Sequence, residues 1–456
     1  MSWPTIIDAA TLTSLLSTLL TPNSAAIRET EEHLRRALAQ PAFICDLFAL
    51  VQNSPSAELR QLAAVLVRRR IGALWLKLHV DVRKVLQAVL VQRLSTEPER
   101  LVRRSLTSVA AVVAKSALPK GEWPQLAPFV FEATKSQLAE HRELSMQLLA
   151  SLLESEDVVD SALRPHFAHI GQTLLVLLAD QSSPHVRRAT LKAVGAWTGV
   201  LAGDEALDQL GPLLAPLLEM GRVSAVSYDE ESLVCTFELL QAVLEMASNS
   251  MLTPHLASFL ELALSVLVGP NMEEDTRFAA LHMLCAALEY KRKLVVKLKL
   301  APAIVQKLFE CAAAAREANG ADDEEDENLE KGAAQAMHLL ATCLPSKHAA
   351  PPILECATAL ATAEQPSRRR AAVIGLAMAA EGCADTFEEL LPRLLPLVYA
   401  ACTDTTHSVR EAACICLGEF AQNLQPGIIS HYQQVLPHIF MVSARATASM
   451  WPASDR

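Results

Sequence analysis

The sequence predicts an all-α fold organised as an α-solenoid, and three observations predict it. Composition is the first: 51% of the 456 residues are hydrophobic, aromatics make up only 5%, and there are just 15 Gly. A chain dominated by Ala and Leu favours helix over strand, because sheets draw on Val, Thr, aromatics and Gly turns. The second is spacing: apolar residues recur in steps of three and four, which places them on one face of a helix. The third is self-similarity. Stretches of this kind return about every forty residues, so one repeat array replaces the two to four globular domains that this length would otherwise suggest.

Leu59 to Leu78 shows the unit most clearly. Leu59, Leu62, Ala63, Leu66 and Val67, then Ile71, Leu74 and Trp75, form one stripe that runs into a second short helix. Arg60 lies beside that stripe, and Arg68, Arg69 and Arg70 surround its far end. Weaker or stronger copies are anchored at positions 60, 103, 143, 187, 232, 277, 332, 369 and 410. That period belongs to the HEAT/armadillo class of helical hairpins. Between anchors lie the A helices, such as 166–179, 255–268 and 387–401, several with interior prolines (Pro212, Pro216, Pro392, Pro396) that kink a helix. Polar turns at 53–55, 180–184 and 404–408 are expected to cap the B helices that follow. The recurring pairs Asp180 with Arg187 and Asp404 with Arg410 suggest an Asp/Arg ladder between neighbouring repeats. The expected architecture is a right-handed α-solenoid of about ten HEAT repeats in a superhelical arch. Residues 1–95 form an N-terminal pair of repeats and 96–440 the remainder.

Two places break the period. The insertion at 316–331 contains six consecutive acids, Asp322, Asp323, Glu324, Glu325, Asp326 and Glu327. Like charges at that density do not pack, so the segment reads as a solvated loop between an A and a B helix. It either aids solubility or contacts a basic partner. At the other break, His431–Phe440 opens an A helix with no B helix after it, and 441–456 shows no helical period. The array is expected to be cut short there, with a disordered or poorly packed tail.

Charge divides unevenly: residues 1–120 carry a net +7 and residues 121–456 a net −18. An acidic majority attracts basic partners and repels nucleic acid. No apolar run reaches the roughly 18 residues of a membrane span, no signal peptide is evident, and no membrane insertion is expected. Ten scattered cysteines without a CxxC pair fit a reducing compartment, cytosol or nucleus. Cys235, Cys285 and Cys414 read as small core hydrophobes. His166 and His169 read as polar-face residues, and Glu388 and Glu389 as first-turn acids suited to the helix dipole. No nucleotide-binding, nucleophile-elbow or metalloprotease motif occurs. Neither an enzyme, a cofactor, a metal nor direct nucleic-acid binding is expected, since the basic patch is local and aromatics are few.

With these residues set out, the stretch 59–78 resembles the N-terminal domain signature of the importin-β (karyopherin-β) superfamily: Arg60, the Ala63–Ala64 pair, Leu66, the basic run, Ile71 and the closing Trp75. Residues 27–34 are similar to the B helix of that family's first repeat, and the resemblance extends from about residue 11 to 440. It implies a monomeric nuclear transport receptor shuttling between cytoplasm and nucleus. Such a receptor binds Ran-GTP on the B helices of its first repeats and holds basic cargo such as histones or ribosomal proteins. It docks FG-repeat nucleoporins on A-helix grooves. The loop Asp322–Glu327 is similar in position to the family's acidic insertion, and Arg68, Arg69, Arg70, Arg103 and Arg104 are candidate exposed B-helix contacts. Rival readings are a HEAT scaffold of a phosphatase or chromosome-organising complex and a histone-binding chaperone that works without Ran.

Overall fold

The computed structural model describes residues 7–21, 24–201, 208–319 and 328–450. The acidic run Asp322–Glu327 lies outside them. Two compact units divide the chain, Met1–Pro216 and Leu217–Arg456. Each is a stack of helical hairpins, and no strand occurs among the described residues.

Numbering only the hairpin helices, the first unit holds α1 (Ala9–Leu19), α2 (Ser24–Ala37), α3 (Phe43–Asn53), α4 (Ala57–Leu74), α5 (Val80–Thr96) and α6 (Arg100–Ala117). It continues with α7 (Leu126–Thr134), α8 (Ala139–Leu153), α9 (Phe167–Leu178) and α10 (Pro184–Val200). After α11 (Leu214–Ser227), the second unit contains α12 (Glu230–Met246), α13 (Leu256–Leu267), α14 (Glu274–Tyr290), α15 (Ala301–Asn319) and α16 (Leu329–Cys343). Then follow α17 (Ser346–Leu360), α18 (Pro366–Ala379), α19 (Ala384–Cys402), α20 (His407–Asn423) and α21 (Tyr432–Met450). Odd numbers are A helices and even numbers are B helices. Every sequence anchor falls near the start of an even helix.

Packing follows from the apolar stripes. In the first unit α4, α6, α8 and α10 pack in succession, each also covered by its own A helix. In the second, α12 through α20 repeat the arrangement. Trp75, Trp123 and Trp197, with Phe43, Phe237, Phe387 and Phe420, are fully buried in these layers. The stripe of α4 behaves largely as its spacing implies: Leu59, Ala63, Leu66, Val67, Ile71, Leu74 and Trp75 are buried, Leu62 is half-buried, and a short 3-10 turn at Trp75–Lys77 follows the helix.

Three expectations need correction. Pro216 is not an interior proline that kinks its helix, because it lies in the first turn of α11, where the missing N–H would have no partner anyway. Pro392 and Pro396 do sit inside α19. The insertion is narrower than 316–331, since α15 runs on to Asn319 and α16 is capped by Asn328, whose side chain accepts from Lys331 N–H at 3.0 Å. Finally, α21 continues ten residues past Phe440 to Met450; Met, Ala and Arg there are good helix formers even without an apolar period. Among the described residues, no helix is long and apolar enough to cross a membrane.

Candidate interaction surfaces

The ladder between repeats is present, but its partners differ from those the sequence suggests. Arg142 on α8 donates from Nε to Asp180 Oδ2 at 2.8 Å, reaching the turn of the next repeat. Arg369 on α18 makes the same reach to Asp404, with bonds of 2.7 and 3.0 Å. Arg187 and Arg410 instead donate to the backbone carbonyls of Asp180 and Asp404 within their own repeats. Neither Asp caps its helix. Asp180 Oδ1 accepts from the N–H groups of Ser182 and Ser183, and Asp404 Oδ1 from Thr406 N–H, closing the turn; the preceding arginine meets Oδ2 of Asp180 and both oxygens of Asp404. A local reading misses this because the deciding contact comes from about forty residues upstream.

Arg60 forms the first rung. It donates to Glu97 Oε2 at 3.1 Å and Oε1 at 2.7 Å, and through Nη1 to the carbonyls of Ser54 and Pro55. Arg93 adds a further bond to Glu97. The pair is almost completely buried, with side-chain exposures of 8% and 0%. Burial pushes the Glu97 carboxyl upward, but the hydrogen bonds from Arg60 and Glu99 N–H and the charges of Arg60 and Arg93 outweigh it, so its pKa ends below the ordinary 4.5. Asp180 and Asp404 follow the same logic. Burial opposes ionisation, and Ser182 with Arg142, or Arg369 with Thr406, hold each pKa below the ordinary 3.8. Of the signature residues, Arg60, Ala63, Ala64, Leu66, Ile71 and Trp75 are therefore all structural.

The candidate contact residues separate into two groups. Arg103 is 7% exposed and donates to the Glu97 carbonyl, so it is not a surface residue; it occupies on α6 the register that Arg60 occupies on α4. Arg70 is exposed but tied to the Leu38 carbonyl at 3.2 Å. Arg68, Arg69 and Arg104 are exposed without an acidic partner among the described residues. Arg68 lies eight residues past Arg60 and Arg104 one past Arg103. At roughly 100° per residue these offsets differ by only about 20°, so both project from the same flank of successive B helices.

Other B-helix features were not foreseen. Arg370 links three helices, bonding Glu330 at 2.6 Å, the Ser408 carbonyl at 2.7 Å and Glu411 at 3.2 Å. On α12 the exposed acids Glu231, Glu238 and Glu245 recur every seven residues, an acidic line along one helix. Glu388 is more than a first-turn acid, since it accepts from Gly427 N–H at 2.8 Å and ties down the turn of the following repeat. His166 and His169 both pack edge-on against Phe131, at 5.4 and 5.0 Å. None of the ten cysteines forms a disulfide; Cys235, Cys285 and Cys414 are half-buried rather than core, and burial pushes the Cys285 thiol up to about 11. No group of three or more His, Cys, Asp or Glu among the described residues is placed to hold a metal ion.

The A-helix side carries grooves. One of about 300 Å³ lies between α1 and α3, and another of about 380 Å³ between α15 and α17, lined in part by Phe309, Cys356 and Leu360. A third, about 760 Å³, runs along α5 beside residues 121–125. Its far wall is set by Gly121, whose φ of +67° ends the α6 region in a left-handed turn and lets Glu122 N–H reach the Ala117 carbonyl at 2.9 Å.

A family model described as IPO5-like TPR repeats matches residues 98–262, and one described as a HEAT-like repeat matches 366–420. The importin-4 proteins of Mus musculus and Homo sapiens are each 29% identical over 94% of this chain. A probable importin subunit beta-4 of Schizosaccharomyces pombe is 26% identical over the same share. Over 94% of its length the chain is similar to importins. It spans 40% of the length of these importin relatives. Solved structures of Kap121p, one bound to RanGTP and another to Nup53p, match 94% of this chain at 21% identity with TM-scores of 0.74 and 0.75, and share its fold.

Proposed function

We propose that this chain is a nuclear transport receptor of the importin-β superfamily that binds Ran-GTP through its N-terminal repeats, carries basic protein cargo such as histones or ribosomal proteins, and passes the nuclear pore by docking FG-repeat nucleoporins on its A-helix grooves. Such a receptor shuttles between cytoplasm and nucleus and performs no catalysis of its own. The observation that carries the reading is similarity to importins over 94% of the chain, joined to exposed arginines on successive B helices, Arg68 and Arg69 in the signature stretch and Arg104 on α6. The acidic line on α12 and the acidic run Asp322–Glu327 supply the charge that basic cargo requires. The mechanism is differential binding: cargo and Ran-GTP compete, and the nucleotide on Ran decides which is held.

Replacing Asp322–Glu327 by the corresponding amides tests the cargo half. Titrating a histone-tail peptide against both chains should show binding weakened by about tenfold, ~1.4 kcal/mol, in the neutralised chain. The difference should shrink as salt is raised. Equal affinities for both the basic peptide and Ran would reduce the segment to a solubilising loop.

A further inference from the structure

The groove along α5 differs in chemistry from the other two. Its walls are apolar where Val91, Trp123 and Pro124 face it, yet two lining residues hold polar groups that lack partners. Gln87 is 5% exposed, and its carboxamide makes no hydrogen bond to any described residue. Arg83 uses Nη1 on Glu122 at 2.5 Å, while its buried Nε–H has no partner. The Gln87 amide tip therefore opens on the groove, where a ligand's own donors and acceptors can pair with it, and the unpaired buried Arg83 Nε–H beside it costs about 1–3 kcal/mol. A carboxamide offers both a donor and an acceptor, which is the pairing one peptide unit of an extended chain requires. Lys84 stands exposed on the rim, and the charged lining residues, Arg83 and Lys84 against Glu122, leave the groove positive.

We infer that this groove binds an extended acidic peptide, with its backbone on Gln87, an apolar side chain between Val91 and Pro124, and a carboxylate beside Lys84. The site is separate from the B-helix surface proposed for Ran and from the charge that serves basic cargo, so its failure would leave those assignments untouched. A neutral Phe-Gly segment could use the apolar walls but would leave Lys84 without a partner. Charge complementarity therefore selects the acidic ligand.

Fluorescence anisotropy with the full chain tests the inference, using three labelled peptides of equal length. One has a central Leu flanked by Asp and Glu, the second replaces those acids with Asn and Gln, and the third carries Phe-Gly. The acidic peptide should bind about tenfold more tightly than its neutral counterpart, ~1.4 kcal/mol. Lys84→Glu should abolish that preference, and Ala88→Trp, at an exposed lining position, should block both Leu-containing peptides. Thermal unfolding followed by circular dichroism should be unchanged in both variants. Equal or tighter binding of the neutral or Phe-Gly peptide, a preference that survives Lys84→Glu, or no binding by any of the three would overturn it.

Discussion

Arg60→Ala should destabilise the first repeats by about 3–5 kcal/mol, because it leaves Glu97 as a buried charge without its main partner. Arg60 also donates to the Ser54 and Pro55 carbonyls, so the turn between α3 and α4 loses its tie as well. Solenoids need not unfold in one step, so the readout is hydrogen exchange of α3 to α6 amides alongside a denaturant midpoint. Arg68→Ala, at an exposed site, should stay within about 0.5 kcal/mol. A loss no larger for Arg60 than for Arg68 would show that the rung is not a support. The same rungs set the acid limit of the fold. Glu97, Asp180 and Asp404 have folded pKa values below their ordinary 4.5 and 3.8. In that window the unfolded chain binds more protons than the folded one. Their contribution is complete above the ordinary values and is lost as pH falls through the lowered ones. Arg60→Ala should accordingly flatten the acid side of the stability curve.

Trp75→Ala should cost a similar amount, about 3–5 kcal/mol, since the ring is 0% exposed and its removal leaves a large cavity beneath α4. Trp75→Phe should cost much less. The indole Nε1–H is buried without a partner, so the smaller ring also removes an unsatisfied donor. Comparing the two denaturant midpoints distinguishes volume from polarity. Equal losses would mean that Nε1 has a partner in solution, and a negligible loss for Trp75→Ala would mean that the core does not close on this ring.

The repeat array was legible because each hairpin writes its own apolar period, and the stripe from Leu59 to Trp75 is buried as that period implies. The roles of the charged residues were less legible. Arg103 looked like a surface contact, although its alignment with Arg60 already placed it in the register of a buried rung. Arg142 lies one residue before the Glu143 anchor, and its role shows only through Asp180 of the next repeat. The turn acids read locally as caps, whereas the arginine that claims each carboxylate comes from the preceding repeat. The groove beside Trp123 left little trace in the sequence, since Gln87 gains its character only when α6 ends in the left-handed turn at Gly121.

The central claim, that this chain is a Ran-governed transport receptor, is tested most directly by capturing Ran on the immobilised chain in its GTP-loaded and GDP-loaded forms. The account predicts strong retention of the GTP form and little of the GDP form, with the difference reduced when Arg68 and Arg69 are both changed to Glu. Equal retention of the two forms, or of neither, would contradict it.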